Sequence, residues 1–342
     1  MKDLIKFLQN FLKNDGFFVF SAFMIEKLVM LVNTIFIVKM SPQDEFGRIT
    51  LIASVLALMS PWSGVGSLQV LMKFGSAEQN DIKRKELSQK LFRNGIVYQL
   101  FLCVGFIIIA NLYAIKFDDL KWIILLFSIR LFGMFLQSHL TIDYRINGFN
   151  KKFALLNIFV NCLGLIFTFF LTIYFGAIGY MISLAIAPFI CLFFFSKNVL
   201  QQSINDLSEM NWKMMWKYGR MESFAYFASE LLFSIDIAMI AIFMADKDIA
   251  LYKVAIILPM NLLFLPTILF QTDFPRIVQN ADNKAFLKFY IYNYLKLFIP
   301  LGMIILIGSY SLKDWLLSLF VNQDYLAGNS VFFIETITVV FA

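Results

Sequence analysis

Residues 153–195 read FALLNIFVNCLGLIFTFFLTIYFGAIGYMISLAIAPFICLFFF and contain no charged side chain. A helix needs about 20 predominantly apolar residues to cross the hydrocarbon of a bilayer, so this stretch is long enough for two crossings, at 153–175 and 178–195. The stretch lacks the alternation of a barrel strand and is much longer than the roughly 9–11 residues such a strand uses. It predicts an all-α integral membrane protein.

The composition of the whole chain agrees with this prediction. Apolar residues make up 60% of the 342 residues and charged residues 15%, against about 45–50% and about 25% in soluble domains. These values exclude a water-soluble globular enzyme and a disordered chain. The three cysteines lie inside apolar runs and there is one histidine, so no metal site of ordinary composition is expected.

The same length test predicts about ten transmembrane helices. The further spans lie at residues 17–38, 49–72, 94–115, 122–140, 221–244, 250–274 and 289–307, with a last one starting near Gly328. The run from Gly328 to Ala342 is too short to span a bilayer. It predicts either a truncated chain or a re-entrant last segment.

The basic residues predict an orientation. With the N-terminus in the cytoplasm, nineteen of the 29 Lys and Arg residues fall in inside segments and six in outside loops, as the positive-inside rule requires. The net charge of +6 is then a topology signal, and no nucleic-acid partner is expected. No loop exceeds about 25 residues and no P-loop sequence occurs, so neither a soluble active site nor ATP use is expected.

Nine charged residues lie inside the predicted spans before Gly328: Lys253, Lys296 and seven that are candidates for function. Each would cost roughly 2.5–3.5 kcal/mol against lipid at a helix centre, so they predict a polar interior. The alternative for any one of them is a structural ion pair between helices. The seven are Glu26, Lys27, Arg130, Glu222, Glu230, Asp236 and Asp273.

Helical phase gathers these charges with other polar side chains. At 100° per residue, Glu222, Tyr226, Glu230 and Asp236 fall within an arc of about 120° in the seventh span. Glu26, Lys27, Asn33 and Thr34 share an arc in the first span, and Arg130, Gln137, Ser138 and Thr141 in the fourth. The stripe Asn157, Asn161, Gly164, Thr168 and Thr172 is better interpreted as helix packing. Arg130 needs an anion, because a guanidinium stays charged.

The second and eighth spans are predicted to be broken, and they are related by a repeat. The second contains Ser60-Pro61-Trp62-Ser63-Gly64-Val65-Gly66-Ser67, and the eighth contains Pro259, Asn261, Pro266 and Thr267. Shifting the chain by 203 residues places Phe46 on Ile249, Asn33 on Asp236 and Lys73 on Arg276. The repeat predicts two pseudo-symmetric bundles of the six-helix type, at residues 1–195 and 196–342, and matched breaks indicate a transporter cavity.

Four passages carry a resemblance to a known family. Met40-Ser41-Pro42-Gln43-Asp44-Glu45-Phe46-Gly47 resembles the connection after the first span of bacterial polysaccharide-biosynthesis flippases. Asp236 followed by Ala245–Tyr252, then Asp273-Phe274-Pro275-Arg276-Ile277, and Leu319-Phe320-Val321-Asn322-Gln323-Asp324-Tyr325 are similar to its later motifs. The family is the O-antigen (lipid-linked oligosaccharide) flippases of the multidrug/oligosaccharidyl-lipid/polysaccharide exporter superfamily.

The resemblance implies a function and a location. It implies a flippase that moves an undecaprenyl-pyrophosphate-linked oligosaccharide from the inner to the outer leaflet of the bacterial plasma (inner) membrane, for O-antigen or capsule. The partners would be that lipid and other polysaccharide-assembly membrane proteins. Alternating access is expected, without covalent chemistry and without a cofactor beyond a coupling H⁺ or Na⁺.

Residue roles follow as expectations from this substrate. Arg130 and Lys27 are expected to bind the pyrophosphate, and Asn33, Gln137 and Tyr226 the sugar. Arg145 and Arg276 are expected at the cytoplasmic mouth. Glu26, Glu222, Glu230, Asp236 and Asp273 would bind the coupling ion or latch the bundles together, and the sequence does not separate these two roles.

Two other functions stay open at this point. A cation-coupled multidrug exporter of the same superfamily would use the carboxylates of the spans, although Arg130 argues against a cavity built only for cations. An integral-membrane glycan polymerase or ligase would need a large outer loop with basic residues, and the stretch after Ile307 offers only Lys313.

Overall fold

The computed structural model describes residues 16–114, 121–195, 210–262, 264–320 and 328–341, and in these ranges it is helical with short connections and no strand. This confirms the all-α prediction. The motif at 319–325 falls mostly outside these ranges. The α-helices, in chain order, are α1 Gly16–Met40, α2 Gln43–Met59, α3 Ser67–Val70, α4 Asp81–Ala114, α5 Lys121–Ile146, α6 Asn150–Ile186, α7 Trp212–Phe243, α8 Asp246–Leu262, α9 Phe264–Gln279, α10 Lys284–Phe320 and α11 Asn329–Phe341.

Six helical segments of the described chain are long and apolar enough to cross a membrane, and the bent helix α7 makes a seventh. The six are Phe17–Met40, Asp44–Gly75, Asp81–Leu112, Lys121–Ile146, Asn150–Phe194 and Lys284–Lys313. The count of ten therefore stays a prediction, as does the cytoplasmic N-terminus. The difference comes from Asn150–Phe194, which counts once, from the predicted span 250–274, of which residue 263 lies outside the described ranges, and from α11, which is 13 residues long.

The segment Asn150–Phe194 is a helical hairpin. Gly176 has φ 59° and ψ −142°, which interrupts the helix, and a Cβ at Gly179 would collide with the carbonyl of Leu171. Thr168 and Ser183 share a hydrogen bond of 2.9 Å between their hydroxyl oxygens, whereas 15 residues of straight helix would separate them by about 22 Å. The predicted division into helices at 153–175 and 178–195 is confirmed by this turn.

The predicted break in the second span is confirmed. After α2 the chain forms a 3-10 segment, Ser60–Gly66, then α3 and a π-helical turn, Leu71–Gly75. Gly64, Val65 and Gly66 have φ of 61°, 50° and 91°. A positive φ is strained for a β-branched residue, so Val65 must be held in place by its surroundings. The predicted break in the eighth span stays a prediction, because residue 263, between α8 and α9, lies outside the described ranges.

The helix bounds repeat at the predicted shift. α1 ends at Met40 and α7 at Phe243, α2 begins at Gln43 and α8 at Asp246, and α4 begins at Asp81 and α10 at Lys284. Each pair is separated by 203 residues. The division into bundles at residues 1–195 and 196–342 stays a prediction.

Equivalent positions of the repeat also meet in space. Helices α2 and α8 pack in one apolar core that includes Phe46, Ile49, Ala250 and Val254. Further along, the Gln279 amide donates a hydrogen bond to the Ser76 carbonyl oxygen at 3.5 Å, and these two residues are 203 apart. These contacts are the ones expected if a local two-fold axis relates α2 and α8.

Candidate functional site

A cavity of about 1670 Å³ lies between the two copies of the repeat. Among the described α-helices, every one except α4 contributes a lining side chain. Aromatic and aliphatic side chains alternate with polar ones on its wall. The position is the one expected for a site shared between two pseudo-symmetric halves.

The structure places most of the predicted substrate-contacting residues in this cavity. Arg130, Asn33, Gln137 and Tyr226 all line it, and so does Arg145. Lys27 does not, because it lies 100° around α1 from the lining residue Glu26. Arg276 is exposed, with its guanidinium 5.7 Å from the Phe286 ring, and does not line the cavity.

The predicted carboxylates divide into two groups. Glu26, Glu222 and Glu230 line the cavity, whereas Asp236 and Asp273 do not. Asp236 lies beyond a bend of 53° in α7, which separates Trp212–Leu231 from Ile235–Ala241. The helical phase of a straight helix therefore predicts correctly that Glu222 and Glu230, before the bend, face the cavity together. It predicts wrongly that Asp236, after the bend, faces the cavity too.

Arg130 is the main cationic feature of the first-half wall. It belongs to α5, which also packs into the apolar core through Phe127 and Leu131. Its Nε is fully buried, and no hydrogen-bond partner for this atom is found among the described residues. Tyr180 lies close enough to interact electrostatically with it. A buried guanidinium nitrogen without an acceptor is costly, so an acceptor at this point of the cavity would be stabilising.

Amide side chains surround this part of the wall. Gln137 donates from Nε2 to Asn157 Oδ1 at 3.4 Å, Asn157 donates to the Phe153 carbonyl at 3.0 Å, and Asn161 donates to the Asn157 carbonyl at 2.8 Å. Both asparagines line the cavity. The polar stripe of the fifth span therefore has two roles. Its Thr168 packs against Ser183, and its asparagines line the cavity.

The opposite wall, from the second half, is acidic and phenolic. Glu222, Tyr226 and Glu230 face the cavity from α7, together with Tyr218, and Lys253 faces it from α8. Lys253 interacts electrostatically with Glu230, which agrees with the ion-pair alternative for that carboxylate. The sequence analysis missed Lys253 as a cavity residue, although a lysine inside an apolar span was a usable signal.

A second polar group lies outside the cavity, where α7, α8 and α11 meet. The hydroxyl of Tyr252 is 2.7 Å from Asp236 Oδ2 and 3.0 Å from Glu335 Oε1. A phenol has one proton and can donate to one carboxylate only. The second hydrogen bond needs a proton on the other carboxyl group. The cluster of Asp236, Tyr252 and Glu335 can therefore hold one exchangeable proton between its two carboxylates. Glu335 was not predicted, because only the fold brings it to Asp236.

No group of three or more His, Cys, Asp or Glu side chains in the described ranges is arranged to hold a metal ion. The candidate site consists of a cavity wall with Arg130 and amide side chains, a wall with Glu222 and Glu230, and one separate carboxylate pair, Asp236 and Glu335.

Comparison with known proteins gives a match at the level of fold. No protein-family profile matches the sequence, and no curated protein sequence does either. Among solved structures, the chain is similar to the crystal structure of the eukaryotic MATE transporter AtDTX14, with a TM-score of 0.68 and 14% sequence identity. The match covers 98% of this chain and 80% of that one. The chain therefore has the fold of a MATE transporter and is a multi-pass membrane protein.

Proposed function

We propose that the chain is a flippase that moves an undecaprenyl-pyrophosphate-linked oligosaccharide between the leaflets of a bacterial inner membrane by alternating access. The observation that carries the proposal is the buried Nε of Arg130, which faces a large cavity and has no acceptor among the described residues. Guanidinium groups bind phosphate oxygens with paired, charge-assisted hydrogen bonds. Arg145 on the same wall is the second phosphate contact.

The size and the lining of the cavity support a glycan as the transported substrate. Its volume of about 1670 Å³ exceeds the roughly 300–1,000 Å³ of pockets for drug-sized ligands. Asn33, Gln137, Asn157 and Asn161 supply amide donors and acceptors for sugar hydroxyls, and Tyr226 supplies an aromatic surface with a hydroxyl. Lys27 and Arg276, which lie outside the cavity lining, would act during entry of the head group.

The carboxylates would couple transport to an ion gradient. Asp236 shares a proton with Glu335 through Tyr252 in this proposal, and it releases that proton when the helices of the second half rearrange. Glu26, Glu222, Glu230 and Asp273 remain candidates for the coupling H⁺ or Na⁺, or for a latch between halves. Other polysaccharide-assembly membrane proteins would supply and consume the lipid-linked glycan.

A second candidate function is a cation-coupled multidrug exporter. The specific observation in its favour is the set of cavity carboxylates, Glu26 from α1 and Glu222 and Glu230 from α7, together with Tyr218 and Tyr226, which suits a cationic aromatic ligand. The MATE transporter with a similar fold belongs to the same exporter superfamily, so the fold is compatible with both functions. The two functions require opposite charges on the substrate, and this separates them experimentally.

The test is a sidedness assay on purified protein in liposomes. A lipid-linked oligosaccharide is placed in the inner leaflet, and a membrane-impermeant glycosidase reports its arrival outside. The proposal expects transport by the wild type and a loss of about 10–100-fold in Arg130→Ala, since charge-assisted hydrogen bonds contribute roughly 1.5–3 kcal/mol. Arg130→Lys should retain only part of the wild-type transport rate, because lysine cannot form the paired hydrogen bonds to phosphate oxygens.

Lys121→Ala is the matched control, because Lys121 is an exposed cation at the start of the same helix. Transport of the glycan at wild-type rate by Arg130→Ala would refute the assignment of Arg130. No transport of glycan by the wild type, together with uptake of cationic drugs that depends on Glu222 and Glu230, would establish the exporter instead.

A further inference from the structure

A basic and aromatic surface lies outside the cavity, where the first turns of α7 meet α4. Lys90 Nζ of α4 lies 4.0 Å from the centre of the Trp212 ring, and the rings of Tyr98 and Trp216 are 5.2 Å apart. These contacts join a helix of the first half to a helix of the second. We call this surface the α4–α7 seam. It consists of Lys90, Arg93, Tyr98, Trp212, Lys213, Trp216, Lys217 and Arg220, none of which lines the cavity.

The basic residues of α7 occupy one face of the helix. Lys213, Lys217 and Arg220 are all exposed and lie within an arc of about 60° at 100° per residue. Glu222 is on the opposite side of α7, where it lines the cavity. The seam therefore presents a concentrated positive charge away from the cavity carboxylates.

The same helix faces become apolar one to two turns deeper. Phe224 follows the basic residues of α7 and is 59% exposed, and Phe101 follows Arg93 along α4 and is 71% exposed. Seven to eight residues correspond to about 10–12 Å along a helix. Cations and aromatic side chains together, followed by exposed apolar side chains, is the order expected from the head groups of a bilayer into its hydrocarbon.

We propose that the α4–α7 seam is a binding site for an anionic phospholipid of the adjacent leaflet. The phosphate would meet Arg93 and the basic face of α7, and the acyl chains would lie along Phe101 and Phe224. Basic pockets between transmembrane helices bind anionic lipid head groups in this way. Because the seam joins the two halves, lipid bound there contacts both.

The experiment uses two tryptophans of the seam as reporters. Trp62, Trp122 and Trp315 are replaced by Phe, which leaves Trp212 and Trp216, and the protein is placed in nanodiscs of phosphatidylcholine. Phosphatidylglycerol with brominated acyl chains is then titrated in, and bromine quenches nearby tryptophan. We expect quenching at lipid fractions well below those that brominated phosphatidylcholine needs.

The test variant is the triple substitution Lys213→Gln, Lys217→Gln and Arg220→Gln. Its affinity for the brominated phosphatidylglycerol should fall by roughly 100-fold, the product of about fivefold for each basic side chain. The matched control is Lys39→Gln, Lys121→Gln and Lys247→Gln, which removes the same charge from exposed residues at other helix ends and should leave quenching unchanged.

Two results would overturn the proposal. One is equal quenching by the anionic and the neutral brominated lipid, which would mean an unselective annulus of lipid. The other is an unchanged titration in the triple variant, with far-ultraviolet circular dichroism showing that it is folded. Neither result bears on glycan transport, because the seam and the cavity share no residue.

Discussion

Replacement of Gln99 by Leu tests how the broken second span is held. Gln99 lies in the middle of α4 and is 0% exposed. Its Oε1 accepts a hydrogen bond from the Gly64 backbone N–H at 2.9 Å, and its Nε2 donates to the Leu131 carbonyl at 2.9 Å. One amide thus connects the 3-10 segment, α4 and α5. Leu has a similar volume and cannot form either bond.

The two lost bonds have different costs. Gly64 N–H loses its side-chain acceptor inside the protein, which costs about 1–3 kcal/mol. The Leu131 carbonyl keeps its position in the hydrogen-bond ladder of α5, so only the average side-chain contribution in a membrane protein, about 0.6 kcal/mol, is lost there. We expect the free energy of unfolding to fall by about 2–3 kcal/mol in total.

Reversible unfolding in mixed detergent micelles measures this difference. Asn111→Leu is the control, because Asn111 is exposed on the same helix and donates only to Ile107 of that helix, and its change should stay within about 0.5 kcal/mol. If Gln99→Leu unfolds at the same denaturant concentration as the wild type, the amide does not hold the break and this reasoning is wrong.

Three further substitutions test other contacts. A Cβ at Gly219 would lie 2.6 Å from the Gly66 carbonyl oxygen, so Gly219→Ala should lower the free energy of unfolding by about 1–3 kcal/mol, whereas Gly308→Ala, which has open space, should not. Tyr252→Phe should make transport insensitive to the ion gradient, while substrate binding to the purified protein persists. If transport by this variant still depends on the gradient, Asp236 and Glu335 do not share a proton through Tyr252. Thr168→Val loses the 2.9 Å hydrogen bond to Ser183. The free energy of unfolding should fall by about 0.6 kcal/mol, with about 1.7 kcal/mol as the upper limit.

The helices and their repeat could be predicted because the signals are local. The apolar length of residues 153–195 was enough to divide that stretch at the observed turn. The shift of 203 residues relates helix bounds that the structure reproduces at Met40 and Phe243. Apolar length and helix-breaking residues depend little on the rest of the fold.

The cavity could be predicted only in part, because its membership depends on packing. Helical phase placed Glu222, Tyr226 and Glu230 on one wall, and all three line the cavity. The bend of α7 moves Asp236 to Tyr252 and Glu335, which no arc on a straight helix predicts. The role of Gln99 in connecting the 3-10 segment, α4 and α5 could likewise not be predicted, because its hydrogen-bond partners are 35 and 32 residues away in the sequence.

The contact between Gln279 and Ser76 has an evolutionary consequence. Equivalent positions meet on a two-fold axis in an isologous dimer, where one surface binds its own copy. If such an axis relates the two copies of the repeat, the packing of α2 on α8 is the interface that two identical half-length chains would form. In a homodimer every substitution appears twice. In one chain that carries both copies, each wall of the cavity can change alone, and here one wall carries Arg130 and the other Glu222 and Glu230.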